Sequence, residues 1–235
     1  MRNTESILKS SRWKTDKYSN GVFMWGDVPE WAYESVRALL QSLNAVEPST
    51  YQHCLRVGEY SRKLAVEMGL NEFEQKIAEF SGLLHDIGKI GIDKNILLKP
   101  SKLDPKELDI IKSHSIMSEE ILAPLGAHPF FKQILPAVRG HHERIDGEGY
   151  PDKLAGEEIP LISRVILVVD TYDAMSENRV YRKGLSDDII YSELKRCTGS
   201  QFDPQLVKIF LSAHQNWKKQ KSDQETIHQI VKRVA

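Results

Sequence analysis

The chain has 235 residues, 40% hydrophobic and 28% charged, with 32 Lys and Arg against 33 Asp and Glu. That length can bury one large core, and the balanced charge provides no global basic field, which argues against DNA or RNA binding as the main activity. Cys54 and Cys197 fit neither a zinc ribbon nor a disulfide scaffold, and no apolar run has the length of a membrane span or signal segment, so the cytoplasm is expected.

Residues 1–28 are polar, lack periodicity and read as a tail or linker. From Pro29 a helix is predicted, with Trp31, Val36, Leu39, Leu40 and Leu43 near one stripe and Pro48 ending it. The next helix, "STYQHCLRVGEYSRKLAVEMG", takes Ser49 or Thr50 as its cap and closes at Gly69. A third, "NEFEQKIAEFSGLLHDIGK", is capped by Asn71. A fourth runs through "LDPKELDIIKSHSIMSEEILAPLG", with Asp104 as cap and Pro105 in the first turn. Another covers Pro129 to Glu143. After a loop of about 16 residues, "IPLISRVILVVDTYDAMS" is read as helix, because its apolar character continues to Met175 without a turn signal. Further helices are expected over 186–198, 204–217 and 222–234. The sum is an all-α chain organised as one domain.

Histidine and aspartate stand out against this background. An adjacent His–Asp pair is weak evidence by itself, but His85–Asp86 closes an apolar helix, where such a pair is costly to bury unsatisfied. Lys89 follows on the same helical face. His53 lies early in the second helix, His114 mid-helix in the fourth, His141–His142 at a helix end, and Asp170 closes "RVILVVD". Neighbouring helical residues point about 100° apart, so a doublet can grip one centre only near a helix end. Two ions a few ångströms apart accommodate doublets more readily, with a carboxylate between them.

The segments "HCLRV", "HDIGKIGI", "ILLKPSKLD", "HHERIDGEGYP", "GEEIP", "VVDTYDAM", "NRVYRKG" and "GSQFDPQLV" occur in this order over about residues 49–212. In this the chain resembles the HD-GYP family of the HD superfamily. The resemblance implies an HD-domain helical bundle with extra helices and a long GYP loop, occupying 29–217 and followed by a helical tail over 218–235. It also implies a metal-dependent phosphodiesterase that hydrolyses cyclic di-GMP to pGpG or GMP. Its metal ligands would be His53, His85, Asp86, His114, His141, His142 and Asp170, with Asp86 bridging. Ser49 stands where some members carry a glutamate that holds a third ion, so two divalent ions are expected; iron leads, with manganese or another first-row metal as alternatives.

The expected reaction is in-line attack on phosphorus by a hydroxide held between the ions, with Lys89 stabilising a non-bridging oxygen. Arg179, Arg182 and Lys183 are candidates for phosphate or guanine contacts, and Asp173 and Tyr150 are substrate-site candidates by resemblance. Asn178 and Val180 depart from the family pattern in that loop. Two rival readings remain: a low-turnover module that binds cyclic di-GMP or contacts a diguanylate cyclase through the GYP loop, and a phosphodiesterase preferring 3′,3′-cyclic GMP-AMP or linear pGpG. The leading segment and helix are candidates for homodimerisation or for a link to a sensor domain.

Overall fold

Asn71 and Asp104 start helices by the same reciprocal device. Each side chain accepts from the backbone N–H three residues on, and the glutamate there (Glu74 or Glu107) accepts from the backbone N–H of the capping residue. The computed structural model describes residues 28–177 and 183–219, the side chains of 218 and 219 excepted. Its helices are α1 (Glu30–Val46), α2 (Pro48–Glu67), α3 (Glu72–Leu84), α4 (Lys94–Leu97), α5 (Pro105–Lys112), α6 (His114–Leu122), α7 (Pro129–Arg139), α8 (Leu161–Ser176), α9 (Asp187–Arg196) and α10 (Pro204–Lys219). Short 3-10 turns lie at Ile87–Gly91, Ala123–Leu125 and Gly156–Glu158. No strand occurs among the described residues, so the all-α expectation stands. Residues 1–27 of the polar tail expected over 1–28, and the helix expected at 222–234, lie outside the described residues.

Several boundaries differ from expectation for local reasons. The cap of α2 is Glu47, not Ser49 or Thr50: Pro48 occupies the first turn, and the Glu47 carboxylate accepts from the N–H groups of both Ser49 and Thr50. The helix expected through residues 105–125 breaks at Ser113, whose hydroxyl donates to the Ile110 carbonyl at 2.7 Å. His114 is therefore the first residue of α6 rather than a mid-helix residue. α7 ends at Arg139, short of the expected Glu143, which puts His141 and His142 just beyond its last turn. On α1, Val36, Leu40 and Leu43 are buried as expected, whereas Trp31 is 41% exposed and stacks on Phe131 at 5.7 Å.

α8 is the central helix. Val165, Ile166, Val168 and Val169 are all fully buried, so its apolar residues face neighbours on nearly every side. That all-round burial explains a composition that would equally suit an inner strand. Against it pack α2, α3, α7, α9 and α10. Between α2 and α3 the backbones themselves touch: a Cβ on Gly82 would lie 2.9 Å from the Gly58 Cα, and one on Gly58 would lie 2.7 Å from Leu83 Cγ. Glycine at both positions permits this approach. α6 is docked on the 3-10 turn through Ser118, whose hydroxyl accepts from Gly88 N–H and donates to the His85 carbonyl, both at 2.8 Å. A Cβ on Gly88 would stand 2.2 Å from the His114 carbonyl oxygen.

Candidate metal centre

Those two contacts bring three polar ends together. His53 on α2 and His85 at the end of α3 lie 5.2 Å apart between ring centroids; His85 and His141 lie 4.9 Å apart, and His114 and His141 5.2 Å. The five expected histidines and the aspartates Asp86 and Asp170 form three overlapping groups: His53, His85 and Asp170; His85, Asp86 and His141; and His114, His141 and His142. Within each, the ligand-capable atoms lie within 4.8 Å of one another.

The imidazole protons are assigned by their partners. His85, His114 and His141 each direct Nδ1 at a main-chain carbonyl three residues back: Gly82, Ile111 and Val138, at 2.7, 2.6 and 2.6 Å. A carbonyl only accepts, so each Nδ1 carries the proton and each Nε2 presents a lone pair. His53 is oriented differently, with Nδ1 donating to Asp173 Oδ2 at 2.7 Å. The Nε2 atoms then face one another and the two carboxylates. His114 Nε2 stands 3.2 Å from His141 Nε2 and 3.2 Å from Asp86 Oδ1, while His53 Nε2 is 3.0 Å from Asp170 Oδ1. His85 Nε2 and Asp86 Oδ1 are buried without a hydrogen-bond partner.

Acceptors gathered at such distances repel unless a cation sits among them, and this nitrogen-and-carboxylate set is what first-row divalent metals bind. The residues fit a metal centre. Asp86 faces both halves of it: Oδ1 lies toward His114, while Oδ2 is 3.4 Å from His85 Nε2 and 3.7 Å from His53 Nε2.

Three imidazoles and both carboxylates favour the protonation states that ligation requires. Burial holds His85 and His141 below the ordinary histidine range and takes His142 down to about 3, so all three stay neutral. Burial opposes the charge on Asp86, but Lys89 and the surrounding histidines outweigh it and keep the carboxylate ionised. Asp170 is likewise ionised; burial is outweighed by its hydrogen bond and attraction to His53. Burial also opposes charge on His53, yet bonds to Asp170 and Asp173 raise it to about 9. Two carboxylates thus draw positive charge to that imidazole, a demand that a proton or a metal ion satisfies alike.

Lys89 donates to Asp86 Oδ2 at 2.5 Å. Tyr150 stacks on His142, 4.7 Å between centroids and 28° between planes, and the Lys112 ammonium lies 5.6 Å from the Tyr150 ring centre. The GYP loop is fastened from inside. Glu143, 1% exposed, accepts from Asp152 N–H at 2.6 Å and Leu154 N–H at 3.1 Å, and Arg139 joins Asp152 to Glu119. A Cβ on Gly149 would come within 2.5 Å of Glu143 Cα, so the chain can fold back on its own start only with glycine there.

Asp173, expected at the substrate, is instead 1% exposed, with one carboxylate oxygen on His53 and both on Arg56. Lys183 is exposed, and Arg179 and Arg182, with Asn178 and Val180, lie outside the described residues. Sequence reasoning missed Arg56, Ser118, Glu143 and Lys112. Glu143 adjoins the histidine doublet and Arg56 shares the "HCLRV" segment with His53, which was the available signal.

A family model described as HD domain matches residues 37–206. The chain belongs to the HD domain family. Its loop motif is of the HD-GYP type. Among HD-domain relatives, a Thermotoga maritima protein named cyclic di-GMP phosphodiesterase is 36% identical over 183 residues, covering 76% of this chain and 49% of its own length. A Vibrio cholerae protein named 3′3′-cGAMP-specific phosphodiesterase 2 is 35% identical, covering 79% of this chain and 35% of its own. The chain thus spans about half or less of the length of these relatives. The crystal structure of a cyclic GMP-AMP-specific phosphodiesterase from V. cholerae superposes with TM-score 0.63 at 19% identity, covering 85% of this chain and 53% of that one, and shows the shared fold. No described helix is long and apolar enough to cross a membrane.

Proposed function

We propose that residues 29–217 form a phosphodiesterase domain that hydrolyses a cyclic dinucleotide, cyclic di-GMP in the first place, with two divalent ions held by His53, His85, Asp86, Asp170, His114, His141 and His142. The observation that carries this reading is the convergence of four Nδ1-locked imidazoles and two ionised carboxylates on one buried spot with Lys89 at its edge. The names of the relatives supply the substrate class.

Asp86, with one oxygen toward each half, would be the residue shared between the two ions. Ser49 is engaged by Glu47, its hydroxyl 2.9 Å from either carboxylate oxygen, which supports two ions rather than three. Iron suits the histidine-rich set, as does manganese. When bound, such ions lower the pKa of water and offset charge developing at phosphorus. The chain's own residues do the rest. Lys89 holds a fixed positive charge beside Asp86 for a non-bridging phosphate oxygen. Tyr150 walls one side, Glu143 and Arg139 hold that wall in place, and Arg179 and Arg182 are the candidates for contacts with the second phosphate or the guanine edges.

Preference for 3′,3′-cyclic GMP-AMP is the second reading, favoured by relatives named for that substrate at 34–39% identity. Competition between the two nucleotides on metal-analysed, anaerobically purified protein separates them, and identification of pGpG or GMP fixes the product. Hydrolysis by His85→Ala and Asp86→Ala should fall to background. If these variants keep the wild-type rate, the centre is not the active site. Tight cyclic di-GMP binding without turnover in fully metal-loaded protein would instead establish a receptor module.

A further inference from the structure

The imidazoles of this centre are not held alike. His85, His114 and His141 are fixed by main-chain carbonyls close in sequence, each three residues back. These anchors are local and cannot move independently of the ligand. His53 sits inside α2, where backbone carbonyls are already engaged in the helical ladder. Its Nδ1 partner is a side chain 120 residues away, Asp173 on α8, at 2.7 Å.

Asp173 in turn needs its own anchor. Arg56, three residues from His53 on the same helix, donates Nε to Asp173 Oδ1 at 2.7 Å and an Nη to Oδ2 at 3.0 Å. That fork fixes the plane of the carboxylate and hence the direction from which it grips the ring. The pair is well sheltered, with the Asp173 side chain 2% exposed and Arg56 25%.

We infer that Arg56 is a positioning residue which, through Asp173 and His53, sets the affinity of one half of the metal centre and leaves the other half alone. The His53, His85 and Asp170 group depends on the relay; the His114, His141 and His142 group does not. This rests on the dinuclear reading above, and the experiment separates the two.

Metal-free wild type, Arg56→Met, Arg56→Lys and Asp173→Asn are titrated with cobalt(II), followed by calorimetry and by visible absorption. Wild type should take up two equivalents. Arg56→Met and Asp173→Asn should weaken one equivalent by about 10–100-fold, the usual effect of losing an outer-shell partner, with the second unchanged. Arg56→Lys, which keeps the charge without the fork, should fall between. Should Arg56→Met fail to fold, the near-isosteric Asp173→Asn carries the same comparison. Retention of both equivalents at wild-type affinity, or equal weakening of both, overturns the relay. A wild type that takes up fewer than two equivalents overturns the dinuclear reading instead.

Discussion

At the scale of single residues, the contact between Lys89 and Asp86 decides what Lys89 can be. The Lys89 side chain is 22% exposed and its ammonium touches the carboxylate of Asp86, whose side chain is 1% exposed, so it is a counter-charge as well as a candidate for stabilising phosphate. Replacing it with methionine should lower cyclic di-GMP turnover by about 100-fold, the scale of losing one charge-stabilising donor. Metal content, measured in the same preparation, should stay near the wild-type value; loss of metal in proportion to activity would make the lysine a structural counter-ion. Much of this residue-level picture was legible in the sequence, because His85–Asp86 and His141–His142 are too polar for the elements that carry them. The Asp173 partnership with Arg56 was not. Its members lie 117 positions apart, and no local pattern reports which carboxylate a distant guanidinium will meet.

At the scale of elements, helix starts and loop anchors carry separable free energies. Glu47 shows the sign clearly. Burial would raise its carboxyl, but hydrogen bonds from Thr50 and Ser49 outweigh that and hold it below the ordinary glutamate range. A carboxyl depressed in the folded state contributes stability above its unfolded value of about 4.3 and loses it as pH falls through the lower folded value. Glu47→Gln should therefore cost about 1 kcal/mol at neutral pH, and the gap to wild type should close in urea titrations taken progressively below about pH 4. A gap independent of pH would mean that the cap acts by shape alone.

Glu143→Gln leaves one of two loop N–H groups without its acceptor and should destabilise by about 2 kcal/mol. Amide exchange at Asp152 and Leu154 should accelerate, while that of α8 stays slow. Element existence was readable from periodicity and caps, as Asn71 and Asp104 show. The break at Ser113 was not, since apolar spacing runs unbroken across it and only the serine's bond back to Ile110 marks the bend. Glu47 was overlooked because Ser49 is the better cap by type. Pro48 at the first helical position already pointed one residue further back.

For the whole molecule, the proposed ligands tie α2, the end of α3, α6, the segment after α7 and α8 to one point. Ions bound there stabilise only the assembled state. At a free concentration about 1,000 times the dissociation constant the gain is roughly 4 kcal/mol. For a chain of this size that corresponds to about 10 °C in melting temperature. Dialysis against a chelator should lower the melting transition by that order while leaving it single, and added iron(II) or manganese(II) should restore it. A melting curve indifferent to chelation would argue against ions bridging these helices.

The backbone contact at Gly58 and Gly82 has a consequence for selectivity. Neither residue bears a functional group, yet their approach determines how far the helix bearing one imidazole stands from the helix bearing the next. A single methyl at position 82 would act as a wedge between the two helices, and it would carry His85 with it, because the Gly82 carbonyl holds that imidazole. The size of cation that the site favours could thus be changed from a position outside the ligand set, and a chain wedged there should come to prefer larger cations.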